Sequence, residues 1–168
     1  PFGRELFIER EDFAVDPPKN FFRLKPGGEV RLKGAYIVRY ASHECDETGR
    51  VTRVHVTYDP ETRGGQCERK VKGTLHWVGS MGAVPAEFRL YEPLLLDEQE
   101  DDARDFIERL NPDSLTVQYG FVEPALLAAQ PGERFQFLRV GYFCADPDGA
   151  SGMPAFNRTV ALKDGFKG

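Results

Sequence analysis

Short runs of alternating apolar and polar residues, each bounded by a turn signal, recur along the whole chain. Alternation with a period of two places the apolar residues on one face of a β-strand. Leu6 and Ile8 alternate with charged neighbours, and Val54 and Val56 alternate in the same way further on. With 17 Gly and 12 Pro to end strands, and 13 Phe and 6 Tyr to fill a core, the pattern predicts an all-β barrel or sandwich.

The runs that predict strands share this alternation and a high content of β-branched and aromatic residues. They cover residues 3–10, 30–40, 53–58, 71–78, 86–91, 115–122, 135–144 and 156–162. One segment differs, because its apolar residues recur at helical spacing: Ala103, Phe106, Ile107 and Leu110. This spacing predicts one short helix, which follows the acidic run 97–102 and ends at Asn111-Pro112.

The stretch from Lys19 to Arg39 is basic, with six Lys and Arg residues and one acid, in a chain of formal net charge -5. Pro26-Gly27-Gly28 predicts a turn within it, since Pro presets φ and Gly accepts a positive φ. Beyond the turn, one strand face is apolar (Val30, Leu32, Tyr36, Val38, Tyr40) and the other is cationic (Arg31, Lys33, Arg39). An acidic chain can meet a polyanion only through such a local patch. A solvated hairpin with ordinary surface cations has the same pattern.

Residues that could carry catalysis are sparse. No serine lies in a G-x-S-x-G motif, and no glycine-rich loop precedes a helix. A zinc site would need His43, Cys45, His55 and Cys67, whose spacing matches no closed zinc pattern. The chain is therefore predicted not to be catalytic on its own.

The cysteines bear on the cellular compartment. Their odd number and irregular spacing, at Cys45, Cys67 and Cys144, suit a reducing environment. No apolar run approaches the roughly 18 residues of a membrane span, and no signal peptide is visible. The chain begins at Pro1 without a methionine, so a piece of a longer protein is expected.

Aromatic residues beside hydrogen-bonding side chains recur at Phe21-Phe22-Arg23, at His76-Trp77 and in residues 135–139. Single-stranded RNA is bound in this way, with bases stacked on rings and base edges hydrogen-bonded. Rings that fill a core give the same pattern. In an unbroken strand Gln136 faces opposite to Arg139, so both are exposed only at a strand end or bulge. RNA binding and protein interaction both stay open on this evidence.

Seven segments, in order along essentially the whole chain, resemble one known family. They are IEREDF (8–13), FFRLKPGGEVRLKGAY (21–36), RKVKGTLHWV (69–78), AEFRLYEPL (86–94), LNPDSL (110–115), FQFLRVGYFCAD (135–146) and FNRTVALKD (156–164). Together they resemble the C-terminal anticodon-binding region of the bacterial glutaminyl-tRNA synthetases. The archaeal and eukaryotic glutamyl-tRNA synthetases share this region and are the nearest alternative.

The resemblance implies two small ribosomal-protein-L25-like β-barrels, one inserted in the other. The outer barrel would comprise residues 1–18 and 89–168, and the inserted barrel residues 19–88. The expected partners are the anticodon loop of tRNA(Gln) and the N-terminal catalytic domain of the same parent chain, in a cytoplasmic monomer. The parent would use ATP and Mg²⁺ for glutaminylation, whereas this fragment would hold no cofactor and be inactive alone.

The resemblance also implies which residues contact the anticodon. Their shared property is a hydrogen-bonding side chain at a base-contacting position of the family: Asn20, Arg23, Arg31, Lys33, Gln136 and Arg139. The family has glutamine where this chain has Asn20, and arginine where it has Lys33. It can also have lysine where this chain has Phe22. Arg31 and Lys33 match two arginines near the first anticodon base, and Asn20 matches a glutamine there. Lysine lacks the planar fork with which arginine makes bidentate contacts.

Overall fold

The predicted strands form in two units, Pro1–Met81 and Gly82–Gly168, each with its own hydrophobic core. The computed structural model describes residues 1–65, 67, 69–96, 105–149 and 152–162. Within these residues the chain is mostly β, as the alternation predicted. No helix among them is long and apolar enough to cross a membrane.

The first unit contains six strands and two short 3-10 segments. The strands are β1 (Leu6–Phe7), β2 (Glu29–Leu32), β3 (Ile37–Cys45), β4 (Val51–Asp59), β5 (Thr74–Leu75) and β6 (Val78–Gly79), and the 3-10 segments are Arg10–Asp12 and Pro60–Gly65. Four strands form one sheet in the order β4-β3-β2-β5, in which β2 and β5 run parallel. Strands β1 and β6 form a separate antiparallel pair.

The turn predicted at Pro26-Gly27-Gly28 forms, but the single strand predicted over residues 30–40 is wrong. A second turn at residues 33–36, in which the Ala35 amide donates to the Leu32 carbonyl, divides this run into the antiparallel strands β2 and β3. Gly27 has a φ of 70°, and the Gly28 amide donates to the Lys25 carbonyl at 2.9 Å, which closes the predicted turn. Val30 and Val38 are buried opposite each other, whereas Arg39 is exposed on the other face. Burial of one face therefore fixes the register, because a shift by one residue would turn the cations into the core.

In the described part of the second unit there are five strands and two further 3-10 helices. The strands are β7 (Val84–Tyr91), β8 (Leu115–Val122), β9 (Arg134–Phe137), β10 (Gly141–Ala145) and β11 (Ala155–Ala161), and the 3-10 helices are Phe106–Arg109 and Pro124–Ala128. They form one sheet in the order β8-β7-β11-β10-β9, with only β7 and β11 parallel. Phe143 and Phe156 are fully buried at its centre.

The predicted amphipathic α-helix is wrong for residues 105–110. Phe106–Arg109 is a single 3-10 turn, and Asp105 and Leu110 on either side are extended. The physical reason is tertiary pairing: the Leu96 amide donates to the Arg109 carbonyl, and the Asn111 amide to the Leu94 carbonyl. Phe106 and Ile107 are 55% and 72% exposed, so the apolar stripe does not face a core. Ala103 and the acidic run 97–102 lie outside the described residues.

The N-terminal residues pack within the first unit, because β1 pairs with β6, and Leu6 and Phe13 lie against its core. The assignment of residues 1–18 and 89–168 to an outer barrel, and of residues 19–88 to an inserted barrel, stays a prediction. The described strands lie in open sheets with free edges, β4 and β5 in one and β8 and β9 in the other. The closure of the sheets into barrels, and the nesting of one barrel in the other, stay predictions.

Candidate nucleic-acid interface

Asn20 lies in a turn that ends the Pro-rich segment before the hairpin. The Phe21 amide donates to the Pro18 carbonyl at 3.1 Å, which leaves Lys19 and Asn20 at the corner of the turn. Asn20 is exposed, so its amide group can meet a ligand without a change in the backbone. Phe22, two residues further along the chain, is 54% exposed.

Arg23 is held by the two acidic residues of the first 3-10 segment. Its Nη1 donates to the Glu11 carbonyl at 2.9 Å, and its Nε lies 3.4 Å from Oδ1 of Asp12, which is fully buried. Leu24 fixes the backbone at this point, since its amide donates to the Asp12 carbonyl at 3.0 Å. Nη2 of Arg23 has no partner among the described residues. The guanidinium is therefore oriented by the protein while one of its nitrogens stays available.

Arg31 is tied to the loop that follows β4. Its Nη1 donates to the Thr62 carbonyl at 3.4 Å and its Nη2 to the Arg69 carbonyl at 3.2 Å. Both distances are at or beyond the long end of the normal range, so each bond is weak. Thr62 itself is firmly placed, because its buried hydroxyl donates to the Asp59 carbonyl and accepts from the Ile37 amide. Each of these nitrogens carries a second N–H, so Arg31 can donate to a base while it keeps the carbonyls of Thr62 and Arg69.

Lys33 lies at the corner of a turn that ends β2. The Ala35 amide donates to the Leu32 carbonyl at 2.9 Å, and Gly34 has a φ of 68°, as the third residue of a type II turn requires. The Lys33 carbonyl accepts from Nε1 of Trp77 at 2.9 Å. Its backbone is thus fixed, whereas its ammonium is exposed and pairs with no acid in the part of the chain that the structure describes.

Gly73 joins the segment of Phe22 to the segment of Arg31. Its carbonyl accepts from the Arg31 amide at 2.9 Å, and a Cβ at this position would lie 2.0 Å from the Phe22 carbonyl oxygen. Only a residue without a side chain permits this approach. Gly73 therefore places the backbone of Phe22 close to that of Arg31.

Two further arginines of the first unit, Arg39 in the basic stretch and Arg69 outside it, are paired with acids. Arg39 Nη2 lies 3.4 Å from Glu29 Oε2, and Arg69 contacts Glu29 and Asp59. These groups surround a shallow depression of about 220 Å³ that also includes Tyr58. Since its charges largely cancel, this depression is a poor site for a phosphate.

Gln136 and Arg139 lie in the second unit, on and just beyond β9. Phe135 and Phe137 face the core, which leaves Gln136 exposed on the other face. The strand then ends in a turn, closed by the Val140 amide donating to the Phe137 carbonyl at 3.0 Å. Arg139 is exposed in that turn. The single strand predicted over residues 135–144 is therefore wrong, since a turn separates β9 from β10. This strand end meets the condition under which Gln136 and Arg139 can both be exposed.

Arg139 has a φ of 70°, the only positive φ at a residue other than glycine in the described part of the chain. It takes the third position of its turn, where Gly34 stands in the turn after Lys33. For a residue with a Cβ this conformation costs about 1–2 kcal/mol. Such strain is found mainly where a side chain must point in a particular direction for function.

Lys72 lies beside this surface and is not among the contacts predicted from the sequence. Nζ of Lys72 lies over the ring of Phe22, 5.6 Å from its centroid. The sequence predicts a strand over residues 71–78 and an aromatic pair at His76-Trp77, but the basic residues Arg69, Lys70 and Lys72 beside them are not among the predicted contacts. That basic cluster was the available signal. The contact itself depends on packing of distant segments and has no local signal.

The histidines considered for a zinc site have other partners. Nδ1 of His43 lies 2.7 Å from the Tyr40 hydroxyl, and Nε2 of His55 lies 2.6 Å from Glu44 Oε1. No group of three or more His, Cys, Asp or Glu residues suited to a metal ion occurs among the described residues.

Comparison with known proteins places the chain in a family. Two family models, both described as the anticodon-binding domain of class I tRNA synthetases (E and Q), match residues 1–59 and 74–146. The chain therefore belongs to the anticodon-binding domains of this class of tRNA synthetase, and its resemblance to the family is confirmed.

Individual relatives are glutamine–tRNA ligases of bacteria. The chain is 53% identical over 170 residues to the ligase of Clostridium perfringens, with 99% of this chain and 31% of that ligase covered. It is 49% identical over 172 residues to the ligase of Clostridioides difficile and 47% identical over 172 residues to that of Pseudomonas putida, with 99% of this chain covered in both. The chain spans less than a third of the length of these curated relatives.

Proposed function

We propose that this chain binds the anticodon loop of tRNA(Gln) as the C-terminal part of a glutamine–tRNA ligase. The observation that carries the proposal is Arg23, whose guanidinium is oriented by Glu11 and Asp12 and keeps Nη2 available. An arginine fixed in this way can present its planar fork to the edge of a base at little entropic cost. Membership of the anticodon-binding family supplies the class of ligand.

In the first unit, Arg23 acts as the main base contact, with Asn20 and Lys33 on the same surface. Asn20 offers an amide for hydrogen bonds with a base edge, and Lys33 offers a charge without a fixed geometry. Arg31 plays a double part, since its guanidinium also holds the carbonyls of Thr62 and Arg69. Binding through Arg31 would therefore couple the RNA to the loop after β4.

In the second unit, Gln136 and Arg139 supply a further pair of base contacts. Both are exposed, and the turn after β9 holds the backbone of Arg139 at a positive φ. Two sets of contacts, one on each unit, suit a loop with several unstacked bases, because each unit can hold different bases.

The whole parent protein is proposed to join glutamine to its tRNA with ATP and Mg²⁺, both held by an N-terminal catalytic domain. This fragment then binds RNA and catalyses nothing by itself, in a monomeric cytoplasmic enzyme. A glutamate-specific parent is the alternative within the family. The relatives named above favour glutamine, because all are glutamine–tRNA ligases.

A protein-interaction role is a second candidate, favoured by one observation. Four alternate residues of β8 share one strand face and are all exposed: Leu115, Val117, Tyr119 and Phe121. Contiguous exposed apolar residues often mark a surface that another protein covers. This role is compatible with RNA binding, since the four residues belong to neither set of proposed base contacts.

Salt dependence tests the proposal against the alternative. Binding of the 168-residue chain to an anticodon stem-loop of tRNA(Gln) would be measured by fluorescence anisotropy between 50 and 200 mM salt, a range over which about 10³-fold of affinity is lost at six phosphate contacts. We expect the affinity to fall steeply with a linear dependence on the logarithm of salt. Binding that ignored salt, or no binding at all, would contradict the proposal.

A further inference from the structure

Phe22 is a large apolar side chain held at the surface by rigid neighbours. Its ring is 54% exposed, although the residues around it are well anchored. Leu24 is buried and bonded to Asp12, and the Phe22 carbonyl is packed against Gly73. The backbone therefore cannot turn the ring inward without breaking these contacts.

The ring of Phe22 has two cationic neighbours, Arg23 and Lys72. Arg23 is its neighbour in sequence, and Nζ of Lys72 lies 5.6 Å from its centroid. A cation at this distance is attracted to the π-face of the ring. Lys72 is exposed, so its charge also remains open to solvent and to a ligand.

We propose that Phe22 and Lys72 together form a stacking site for one unpaired nucleotide of the bound RNA. The base stacks on the ring of Phe22, and the ammonium of Lys72 meets the phosphate of the same or the adjacent nucleotide. Aromatic rings beside cations bind single-stranded RNA in this way. The inference rests on the proposed RNA-binding function. It assigns Phe22 and Lys72 a contribution to affinity, whereas Arg23 contributes to base recognition.

The task differs because a phenyl ring has no hydrogen-bonding atoms. Stacking is tolerant of sequence, since every base has a π-face, whereas an arginine fork distinguishes base edges. Phe22 should therefore raise the affinity for every anticodon loop by a similar factor. Arg23 should raise it mainly for loops that carry the correct base.

The test uses the 168-residue chain and anticodon stem-loops with each of the four bases at each anticodon position. We expect Phe22→Leu to weaken binding of all the loops by a similar factor, about five- to hundred-fold, as loss of one stacked base predicts. Phe22→Tyr, which keeps the ring, should bind like the original chain. Phe106→Leu is the matched control, because Phe106 is 55% exposed and belongs to no proposed contact.

A second readout reports on stacking itself. Fluorescence of 2-aminopurine, placed at each loop position in turn, is quenched where the base stacks. One position should lose quenching in Phe22→Leu and keep it in Phe22→Tyr. Lys72→Gln should reduce the slope of log affinity against log salt by about one, as loss of one phosphate contact predicts.

The outcomes separate this inference from the proposed function. If the original chain does not bind the stem-loops, the proposed function fails. If it binds them with anticodon preference and Phe22→Leu binds equally well, or loses affinity for only one base, the stacking site is overturned. A circular dichroism melt of each variant checks the fold, and Phe22→Tyr keeps the test decisive if Phe22→Leu unfolds.

Discussion

Nε of Arg23 lies 3.4 Å from Oδ1 of Asp12, a carboxylate that solvent does not reach. Asp12 is brought there by the 3-10 segment Arg10–Asp12, and Arg23 by the segment that pairs Leu24 with Phe13. The pair thus joins two parts of the first unit and orients the guanidinium at its surface. Arg23 therefore stabilises the fold as well as being proposed to contact a base. A variant that tests the base contact must keep the interaction with Asp12.

Replacement of Arg23 by alanine would remove a partner of a buried carboxylate and disturb the fold. Arg23→Lys avoids this, because lysine keeps the positive charge beside Asp12 and loses the planar fork. We expect it to reduce the discrimination between cognate and single-base-changed anticodon loops by about 1–3 kcal/mol. The change in melting temperature should be small.

Arg53→Lys is the control for this change, since Arg53 is an exposed arginine of the same unit and belongs to no proposed contact. Its discrimination among the loops should equal that of the original chain. If Arg23→Lys also kept full discrimination, Arg23 would not contact a base through its fork.

Arg139→Gly separates strain from function in the second unit. Glycine relieves the cost of the positive φ, while its freedom in the unfolded chain offsets part of the gain. We expect the free energy of unfolding in urea to stay equal or to rise by up to about 1 kcal/mol, whereas the affinity for the anticodon loop falls. Gly34→Ala, at the same turn position in the first unit, should be destabilising. A large loss of stability in Arg139→Gly would show that the side chain mainly supports the fold.

Gly73→Ala tests the close packing beneath the candidate surface. The added Cβ would lie 2.0 Å from the Phe22 carbonyl oxygen and 3.0 Å from Cγ1 of Val30, so the backbone must move. We expect a loss of about 1–3 kcal/mol in the free energy of unfolding, as is usual for overpacking. Gly3→Ala is the matched control, because a Cβ at Gly3 would lie 3.8 Å from Met81 Sδ, an ordinary van der Waals distance. Equal stability of the two variants would contradict the packing described here.

Asp146 gives the second unit a dependence on pH. The backbone amide of Asp148 donates to its carboxylate at 2.7 Å, and the side-chain amide of Asn157 and the guanidinium of Arg89 also contact it. These partners, the Asp148 amide foremost, lower the pKa of Asp146 below its ordinary value of 3.8. A carboxyl with a lowered folded-state pKa stabilises the fold above its unfolded-state pKa, and this contribution is lost as the pH falls through the folded-state value.

The measurement for Asp146 is urea unfolding at neutral pH and at about pH 3, below the unfolded-state pKa of a carboxyl near 3.9. The original chain should lose stability between the two conditions. Asp146→Asn should be less stable at neutral pH and should lose less on acidification, because no carboxylate at this position becomes protonated. The same pH dependence in both chains would rule out a contribution from Asp146.

Features governed by neighbours in sequence could be predicted, and features governed by distant segments could not. The turn at Pro26-Gly27-Gly28 depends on local backbone preferences, and the exposure of Gln136 follows from the period of a strand, whereas the exposure of Arg139 depends on the turn that ends β9. The pairing of residues 109–111 with 94–96 overrode the helical pattern, which no local rule anticipates. The contacts of Arg31 with Thr62 and Arg69 likewise join residues more than thirty positions apart.

The central claim is that this chain recognises the bases of an anticodon. The most direct test is the affinity of the 168-residue chain for the tRNA(Gln) anticodon stem-loop and for three loops that each carry one changed anticodon base, all at the same salt concentration. We expect tight binding of the cognate loop and a loss of about 1–3 kcal/mol at one or more of the changed positions. Equal affinity for all four loops would contradict base recognition by this chain.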